Sequence, residues 1–477
     1  MIPVHRTNIR LKADVRKVLP RFLDFGNPAR FEPVIQFVLG LEDAAAASQL
    51  QGILKEFEHR HFDLETVFLE HYERLSKYVP TPVSLEKRLL IGAYFTHEYS
   101  IQAAALFNPS IVPHPDQSGL SPDERRFILS LRATGEGHIS SIAFLSGIIG
   151  AELEIRLESA DPKLARGKYL PQQVFQKSGF ARRAPMEAEG TSRLLEQLPE
   201  EFFAQEAMAA VNALEAASGL DMSRTKASLA EYCESHYELA FPKDAPLSSR
   251  ILFPASGAES NGMEDARFVR FEDEKGTRFL GTYTAYNGRA IAPHLIETSD
   301  FHNFKIRPIA GKAASDKGMA LFPEKVKGRY AMVGRQGGRS LSIMYSDDLY
   351  LWDSYAPLQH PQRDWEMLQM GNCGSPVKTP QGWLLLTHAV GAMRKYVLSI
   401  SLLDLHEPNR VIASLDQPLM SPDAEEREGY VPNVLYTCGM MAHHGHLVIP
   451  YAMSDSAIGF AKVETAAVLE ALLRGVV

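Results

Sequence analysis

Residues 261–270 contain the side chains whose types and spacing could do acid–base chemistry. They include the carboxylates Glu264 and Asp265 and the guanidiniums Arg267 and Arg270. Successive side chains of a β-strand point to opposite faces, so Asp265 and Arg267 are predicted to share one face. An acid held at a chosen angle by a cation suits general-acid catalysis, whereas the same residues on a surface strand would form an ion pair of little energetic value. The segment alone favours the surface ion pair, and the rest of the chain must decide between the two.

Two sequence patterns alternate along the 477 residues and predict a mixed fold. From about residue 28 to 106, and again from about 171 to 237, apolar residues recur at three- and four-residue spacing, which is typical of amphipathic helices. Residues 107–144 and 251–463 consist of short strand-like segments separated by Gly, Pro, Asn and Asp. A final helix is predicted over residues 464–474.

A weak internal repeat in the strand-rich region is typical of a β-propeller. Asp300 is followed four residues later by Phe304, and Asp348 is followed four residues later by Trp352. Because a blade contains several strands within about 40–50 residues, the roughly 265 strand-rich residues allow about five blades. We therefore predict four parts: a helical N-terminal domain (1–105), the first propeller strands (106–150), a helical insertion (151–245), and the remainder of a five-bladed β-propeller with a closing C-terminal helix (246–477).

Composition and charge argue against several classes of protein. The formal net charge of −8 and the isoelectric point near 6.1 disfavour nucleic-acid binding, and no basic run predicts a membrane-surface patch. The most apolar run, residues 142–151, is too short to span a bilayer, and residues 1–20 lack the apolar segment of a signal peptide. The three cysteines lie far apart and do not indicate a disulfide framework. We therefore expect a protein of the reducing cytoplasm.

The segment Gly262-Met263-Glu264-Asp265-Ala266-Arg267 resembles the G-x-E-D-P-R motif of glycoside hydrolase family 130, the mannoside phosphorylases and related mannosidases. The resemblance covers most of residues 107–463 apart from the helical insertion. Further landmarks follow in family order at residues 320–325, 328–335, 382–388, 402–408, 429–434 and 451–455. The resemblance implies a five-bladed β-propeller with the site in its central channel, and inverting attack of phosphate on β-mannosides to release α-mannose 1-phosphate. Ala266, where the family usually has Pro, and the helical additions indicate a divergent, longer subgroup.

The resemblance also implies roles for individual residues. Asp265 is the candidate catalytic acid, acting through a sugar hydroxyl, and burial must raise its pKa against the pull of Arg267. Gln369 stands where the family keeps a phosphate-binding lysine; Arg394 is expected to restore that charge, with Arg339 as a weaker substitute. The residues expected to bind phosphate are Lys317, Arg335, His388 and Arg394. The residues expected to bind the sugar substrate are Asn108, Arg132, His138, Arg267, Tyr283, Gln369, Tyr451 and Asp455.

Three functions remain open at this point. A phosphorylase needs one acid and a cluster of cations for phosphate, whereas an inverting hydrolase needs a second carboxylate to activate water. Glu426 and Glu428 are the candidates for that carboxylate, although an acidic run is commonly a solvated surface. A non-catalytic carbohydrate-binding propeller would not need Lys317, Arg335 and His388 together. We therefore predict an inverting phosphorylase of a β-mannoside or related β-glycoside, with the hydrolase as the alternative.

The expected ligands are an oligosaccharide and inorganic phosphate as co-substrate, without a cofactor. His443, His444 and His446 resemble a metal-binding tract but have no Cys or Asp at ligand spacing, so no metal site is expected. Tyr283 and His138 also fit buried core positions, which is the ordinary alternative to sugar binding. The helical additions are candidates for a homo-oligomer interface or for closing the channel mouth.

Overall fold

Four α-helices form most of the N-terminal part of the computed structural model, which describes residues 2–79, 82–171, 174–184 and 188–474. They are Phe31–Leu39, Asp43–Phe57, Leu64–Glu73 and Leu85–Tyr94. Their apolar faces pack into a core that includes Ile35, Val38 and Ile91. Gly92 allows the last two helices to approach closely, because a Cβ atom at this position would clash with the backbone of Phe68.

Short strands, which the prediction of a helical N-terminal domain over residues 1–105 did not include, flank these helices. The helix predicted to run to residue 106 ends at Tyr94. The strands are Val4–Arg6, Leu11–Lys12, Val18–Phe22 and Thr96–Ser100. The first two pair with Ala457–Glu464 near the other end of the chain, and the last two pair with each other. Strands this short do not produce a recognisable period in the sequence.

Five groups of strands contain most of the sheet structure, and a parallel pairing of Gly262 with Ser140 joins the first two groups into one eleven-stranded sheet. The first group comprises Ala105–Pro113, Arg125–Thr134 and Ser140–Ile149, with Ile155–Leu157 and Ile251–Leu252. The second comprises Gly262–Asp273, Gly276–Tyr286, Ile291–Thr298 and Asn303–Pro308. The third comprises Ala320–Leu321, Tyr330–Gly334, Leu341–Ser346 and Ala356–Gln359.

The last two groups complete the strand-rich region. The fourth comprises Gln369–Asn372, Val377–Thr379, Gly382–Val390, Tyr396–Leu403 and Val411–Ser414. The fifth comprises Leu435–Tyr436, Met441–His443, His446–Met453 and Ala457–Glu464, together with the two N-terminal strands. The final helix, Thr465–Leu473, packs Val468 and Leu472 into the apolar core shared by these two groups.

The helices of the predicted insertion occupy a narrower range than residues 151–245. They are Lys177–Ala181, Glu189–Gln197, Ala204–Ser218 and Ser223–Glu234. They enclose their own core, which is continued by a short pairing of Phe175–Gln176 with Glu201–Phe202. On either side, Lys168–Pro171 and Tyr237–Ala240 are strands that extend the second group. The prediction of a helical insertion is therefore wrong at both of its ends.

The first strands of the five groups lie close to one another. The backbone N–H of Phe268 in the second group donates to Oγ of Ser110 in the first, at 3.1 Å. The backbone N–H of Cys438, just after the opening strand of the fifth group, donates to the carbonyl of Pro109 at 2.8 Å. The side-chain amide of Asn372 in the fourth group donates to a backbone carbonyl just before the third. These contacts bring polar side chains from separate parts of the chain around one central space.

Candidate active site

Asp265 lies at a bulge in the strand Gly262–Asp273. The pairing of this strand with Gly276–Tyr286 shifts register between Glu264 and Arg267, and Asp265 has a left-handed backbone with φ of 54°. A bulge turns one side chain out of the regular alternation of a strand. The regular alternation that predicted a shared face for Asp265 and Arg267 therefore does not hold here.

Asn108 and Arg132 hold the Asp265 carboxylate. Oδ1 of Asp265 accepts hydrogen bonds from Nδ2 of Asn108 at 2.7 Å and from Nη1 of Arg132 at 3.0 Å. Asn108 also has a left-handed backbone, with φ of 49°, at a register shift in Ala105–Pro113. Asn108 and Asp265 therefore both use backbone geometry that costs about 1–3 kcal/mol per residue and that clusters at functional sites.

The neighbouring carboxylate, Glu264, is shared by two cations. Its Oε1 accepts from Nη2 of Arg132 at 2.7 Å, and its Oε2 accepts from Nζ of Lys317 at 2.7 Å. Arg132 thus bridges the two adjacent carboxylates of the strand. This arrangement fixes the guanidinium plane of Arg132 and brings Lys317, from a loop between the second and third groups, to the site.

Arg267 is held by partners on two different groups. Its Nη1 donates to the backbone carbonyl of Asp265 at 2.8 Å, and its Nη2 donates to the hydroxyl of Tyr436 at 2.7 Å. The arginine is only 2% exposed, so it cannot reorient without breaking these bonds. The fifth group therefore helps to orient the central cation through Tyr436, a residue that sequence analysis did not select.

The pKa of Asp265 departs from the expectation. Burial raises this pKa, but the guanidiniums of Arg132 and Arg267, the Asn108 amide and the Lys317 ammonium lower it to about 2. The prediction that burial raises the pKa of Asp265 above its ordinary value is wrong for this structure, because the surrounding cations outweigh burial.

Asp455 is the nearby carboxyl group with a raised pKa. It lies in the turn between the last two strands of the fifth group, with φ of 51°. Burial and the negative charge of Asp265 raise the pKa of Asp455 to about 7, against the lowering effect of Arg132 and Arg394. None of the residues that the structure describes forms a hydrogen bond or an ion pair with its carboxyl group. Asp455 is therefore available to bind a ligand hydroxyl, as predicted for a sugar contact.

His388 lies in the fourth group beside the Arg267 cluster. Its side chain is buried, and burial together with the guanidiniums of Arg335 and Arg267 holds its pKa well below the ordinary value. The ring lies parallel to Tyr396, with centroids 5.9 Å apart, and packs against Tyr436 at 4.8 Å. His388 is thus a neutral imidazole that can offer a hydrogen bond but no charge.

Of the other residues predicted to bind phosphate or sugar, Arg335 and Gln369 lie close to His388. Nη2 of Arg335 is 3.7 Å from Oδ1 of Asp316, and the buried Nε of Arg335 has no hydrogen-bond acceptor among the described residues. Nε2 of Gln369 is 3.3 Å from Nε2 of His388. Arg394 is exposed on a hairpin, with its guanidinium 5.7 Å from the centre of the Tyr396 ring. The structure thus brings Arg335, His388 and Gln369 together and leaves Arg394 near the surface.

His138 is exposed and pairs with an unpredicted aromatic residue, so it does not occupy the core. The Tyr430 hydroxyl is 3.0 Å from Nδ1 of His138, and the two rings are stacked with centroids 6.1 Å apart. The loop that carries Tyr430 is bonded to the Asp455 turn, because the backbone N–H of Val431 donates to the Ser454 carbonyl at 3.0 Å. The pair therefore forms an aromatic rim close to Asp455. Tyr430 belongs to the 429–434 landmark, which was the signal that could have identified it.

Two tyrosines expected to contact sugar are buried in the core. Tyr283 is 2% exposed, and its hydroxyl donates to the buried carboxylate of Glu259. Tyr451 is fully buried, and its hydroxyl donates to Oε1 of Glu426 at 2.6 Å. Both strands are buried on their two faces, so alternation along the sequence does not reveal which side chains face a cavity. The prediction that Tyr283 and Tyr451 bind the substrate is wrong.

The carboxylates proposed for a hydrolase do not lie at this site. Glu426 is 1% exposed and pairs with Nε of Arg6 at 3.1 Å, which ties it to the N-terminal strand. Glu428 is exposed on the surface. Glu426 therefore has a structural role, and the carboxyl group near Asp265 that is not paired with any described residue is Asp455.

Two classes of feature are absent from the described ranges. No group of three or more His, Cys, Asp or Glu side chains there could hold a metal ion. No helix in those ranges is long and apolar enough to cross a bilayer.

Comparison with known proteins defines the class. The family model described as beta-1,4-mannooligosaccharide phosphorylase, of glycoside hydrolase family 130, matches residues 243–474. A 1,2-beta-oligomannan phosphorylase of Thermoanaerobacter sp. (strain X514) is 33% identical over 222 residues, which cover 46% of this chain and 73% of the relative. A beta-1,2-mannobiose phosphorylase of the same strain is 32% identical over 210 residues, which cover 43% of this chain and 68% of the relative.

A solved structure is similar over a larger part of the chain. The beta-1,2-mannobiose phosphorylase of Listeria innocua, in complex with beta-1,2-mannobiose, aligns over 78% of this chain and 93% of its own, with 18% identity and a TM-score of 0.48. On the evidence of the family model and the two Thermoanaerobacter relatives, the chain belongs to glycoside hydrolase family 130.

Proposed function

We propose that this protein is an inverting glycoside phosphorylase that cleaves a β-mannoside, or a related β-glycoside, with inorganic phosphate and releases a sugar 1-phosphate. The observation that carries the proposal is the surplus of cations around Asp265. The cations are Arg132, Arg267, Lys317 and Arg335, and the carboxylates paired with or held by them are Glu264, Asp265 and Asp316. These cations outnumber the carboxylates by four to three, which favours an anionic ligand such as phosphate.

The substrate class follows from the family and from the relatives. The relatives that match are named as phosphorylases of β-linked mannosides. The site supports the same chemistry in this chain, because it combines a held carboxylate, Asp265, with the cations that an anionic nucleophile requires. Asp455 and the His138–Tyr430 rim supply a carboxyl group and aromatic faces for sugar hydroxyls and pyranose rings.

In the proposed reaction, an oxygen of phosphate attacks the anomeric carbon while the glycosidic C–O bond breaks. Arg335 and Lys317 hold the phosphate charge, and neutral His388 lies beside Arg335 without adding charge. The leaving oxygen takes a proton from Asp265 through a hydroxyl of the sugar. The attack and the departure occur on opposite faces, so the configuration at the anomeric carbon is inverted.

Asp265 must gain a proton before it can act as an acid. With a pKa of about 2 it is ionised at neutral pH, but a phosphate dianion bound among the same cations would raise this pKa by like-charge repulsion and by competing for Arg267 and Lys317. Asp455, with a pKa of about 7, holds a proton in the same electrostatic environment. We propose that phosphate binding shifts the proton from Asp455 towards Asp265.

Asp455 also supports the second candidate, an inverting hydrolase. Such an enzyme needs a general base in addition to the acid, and a carboxyl group with a pKa near 7 beside Asp265 has a suitable basicity. Phosphate dependence separates the two functions, because water replaces phosphate as the nucleophile in a hydrolase.

The decisive experiment incubates the enzyme with β-1,2- and β-1,4-linked mannobiose, mannosyl-glucose and cellobiose, with and without phosphate. Phosphorolysis requires added phosphate and yields a sugar 1-phosphate. Turnover that is unchanged after phosphate is removed would establish hydrolysis instead. Asp265→Asn is the catalytic control, and Arg410→Ala, at an exposed arginine outside the cluster, is the matched control for Arg335→Ala.

We further propose that the five strand groups are the blades of a β-propeller whose central channel contains Asp265. The support is the contact between opening strands and the pairing of Val4–Arg6 with the fifth group. A crystal structure with five blades about one axis would verify this arrangement, and any other number of blades would exclude it. We also propose that the protein is cytoplasmic and that it forms a homo-oligomer through its helical additions. Cell fractionation tests the location, and light scattering tests the oligomeric state.

A further inference from the structure

A cavity that shares no lining residue with the Asp265 cluster is rich in arginine. We call it the arginine pocket. It has a volume of about 320 Å³ and lies between the N-terminal helices, the segment at residues 166–169 and the segment at residues 251–254. The side chains that matter for its chemistry are Arg21, Arg74, Arg166, Phe22, Tyr169 and Phe253.

Two of the three arginines have aromatic neighbours but no carboxylate partner. The guanidinium of Arg21 lies 4.6 Å from the centre of the Phe253 ring and 4.9 Å from that of Tyr99. The guanidinium of Arg74 lies 5.3 Å from the centre of the Phe22 ring. Over the ranges that the structure describes, neither arginine forms an ion pair.

Arg166 is the only one of the three with a direct acidic partner. Its Nη1 lies 2.8 Å from Oε2 of Glu70. Asp24 also lines the pocket, but its Oδ1 accepts the backbone N–H of Gly26 at 2.8 Å. His71 adds no charge, because burial and the nearby arginines lower its pKa to about 3.

The guanidiniums of Arg21 and Arg74 repel each other across the cavity. Burial and the charge of Arg74 lower the pKa of Arg21, and they outweigh the raising effects of Tyr99 and Glu136. Stacking on aromatic rings orients guanidiniums but leaves their N–H donors free for an acceptor. A bound anion would satisfy those donors and remove the repulsion.

The pocket is large enough for more than an anion alone. A wider cleft of about 870 Å³ adjoins it and shares four lining residues, which are Arg74, Arg166, Gly167 and Tyr169. Small-molecule sites usually have volumes of about 300–1,000 Å³. The aromatic faces of Tyr169 and Phe253 provide surfaces on which a sugar ring can stack.

We propose that the arginine pocket binds a phosphate monoester of a sugar, with the phosphate between Arg21, Arg74 and Arg166 and the sugar against the aromatic wall. Such a ligand would join the N-terminal helices to the strand-rich part of the chain, because its contacts come from both. The site is separate from the phosphate site proposed around Asp265, and the proposal does not depend on phosphorolysis.

Isothermal titration calorimetry with α-mannose 1-phosphate tests the proposal. If the protein also binds this compound at Asp265, the wild-type protein should bind two equivalents. Arg74→Ala should then lose the equivalent in the arginine pocket, and Arg335→Ala should lose the equivalent at Asp265. If the proposed enzymatic function fails, the wild-type protein should bind one equivalent, which Arg74→Ala alone removes. Loss of one guanidinium contact should weaken binding about 10- to 100-fold.

Matched variants and ligands make the outcome unambiguous. Arg30→Ala removes an exposed arginine that stacks on Phe25 outside the pocket, and it should bind like the wild type. Arg74→Lys keeps the charge but loses the planar fork, so its affinity should fall between those of wild type and Arg74→Ala. Because Arg74 is exposed, neither change should unfold the protein, and circular dichroism checks this.

Two results would overturn the proposal. Identical stoichiometry and affinity in wild type, Arg74→Ala and Arg166→Ala would show that the pocket binds no sugar phosphate. Binding of inorganic phosphate as tightly as α-mannose 1-phosphate would show that the sugar is not recognised. Neutral mannose should not bind the pocket.

Discussion

Asp455→Asn should stabilise the protein at alkaline pH and have little effect at acidic pH. Burial and the charge of Asp265 raise the pKa of Asp455 to about 7 from an ordinary 3.8. A raised folded-state pKa means that the folded protein holds the proton more tightly than the unfolded chain. The stabilisation that this tighter proton binding provides is complete below about pH 4 and is lost as the pH rises through 7. Asparagine has the shape of aspartate without the charge, so Asp455→Asn removes the loss of stability that follows ionisation of Asp455.

The size of the effect follows from the pKa difference. A shift of about three units corresponds to about 4 kcal/mol once both states are ionised, at about 1.4 kcal/mol per unit. The Asp455 side chain retains some solvent contact, which reduces the effect. We therefore expect Asp455→Asn to raise the free energy of unfolding by about 2–4 kcal/mol at pH 8 and by about 1 kcal/mol at pH 5. For a chain of this length the entropy of unfolding is about 1 kcal/mol per degree, so Tm should rise by about 2–4 °C at pH 8.

Differential scanning calorimetry at pH 5 and pH 8 measures the effect directly. Wild type, Asp455→Asn and the control Asp353→Asn, which alters an exposed aspartate, are compared in the same buffers. The control should not reproduce the rise in Tm at pH 8. Equal shifts at the two pH values, or a lower Tm for Asp455→Asn at pH 8, would refute the assignment of a raised pKa to Asp455.

Four further outcomes are expected at other residues. Asp265→Asn should lower kcat about 100-fold or more without loss of fold; an active variant would exclude Asp265 as the acid. Arg335→Ala should raise the KM for phosphate at least about tenfold while the affinity for the oligosaccharide stays within a few-fold, and an equal loss of both would point to misfolding. Glu426→Gln should lower the free energy of unfolding by about 2–4 kcal/mol in urea, because it breaks a buried ion pair; a neutral result would contradict the buried geometry. Tyr436→Phe should lower kcat about tenfold with little change in Tm, since it frees Arg267 to reorient, and unchanged kinetics would remove that positioning role.

The chemistry of the central cluster could be predicted from the sequence because its residues sit in recognisable motifs. Asn108, Arg132 and Asp265 come from separate segments, and the structure joins them by direct hydrogen bonds. The register shifts that aim Asn108 and Asp265 could not be predicted, because a bulge depends on how two strands pair and not on either strand alone. The family motif therefore identified the residues, and pairing determined their directions.

The remaining errors share a physical cause, which is that they depend on contacts between distant parts of the chain. Tyr283 and Tyr451 looked like ligand contacts but are satisfied by buried glutamates. The pKa order of Asp265 and Asp455 results, for each group, from a balance between burial and the effects of three nearby charges, and no spacing pattern encodes that balance. The short strands at the N-terminus are visible only once their partner is known.

The pairing of Val4–Arg6 with Lys462 and its neighbours also has a consequence for biosynthesis. During translation, residues 4–6 leave the ribosome long before residues 461–463, so the fifth group cannot be completed until nearly all of the described chain has been made. Until then the N-terminal strand has no partner and stays exposed to other chains. The paired residues are very far apart in sequence, so closing the loop between them has a large entropic cost. The pairing is therefore expected to form late in folding. A nascent chain stalled before residue 457 should therefore be more sensitive to proteolysis at residues 4–12 than the released protein.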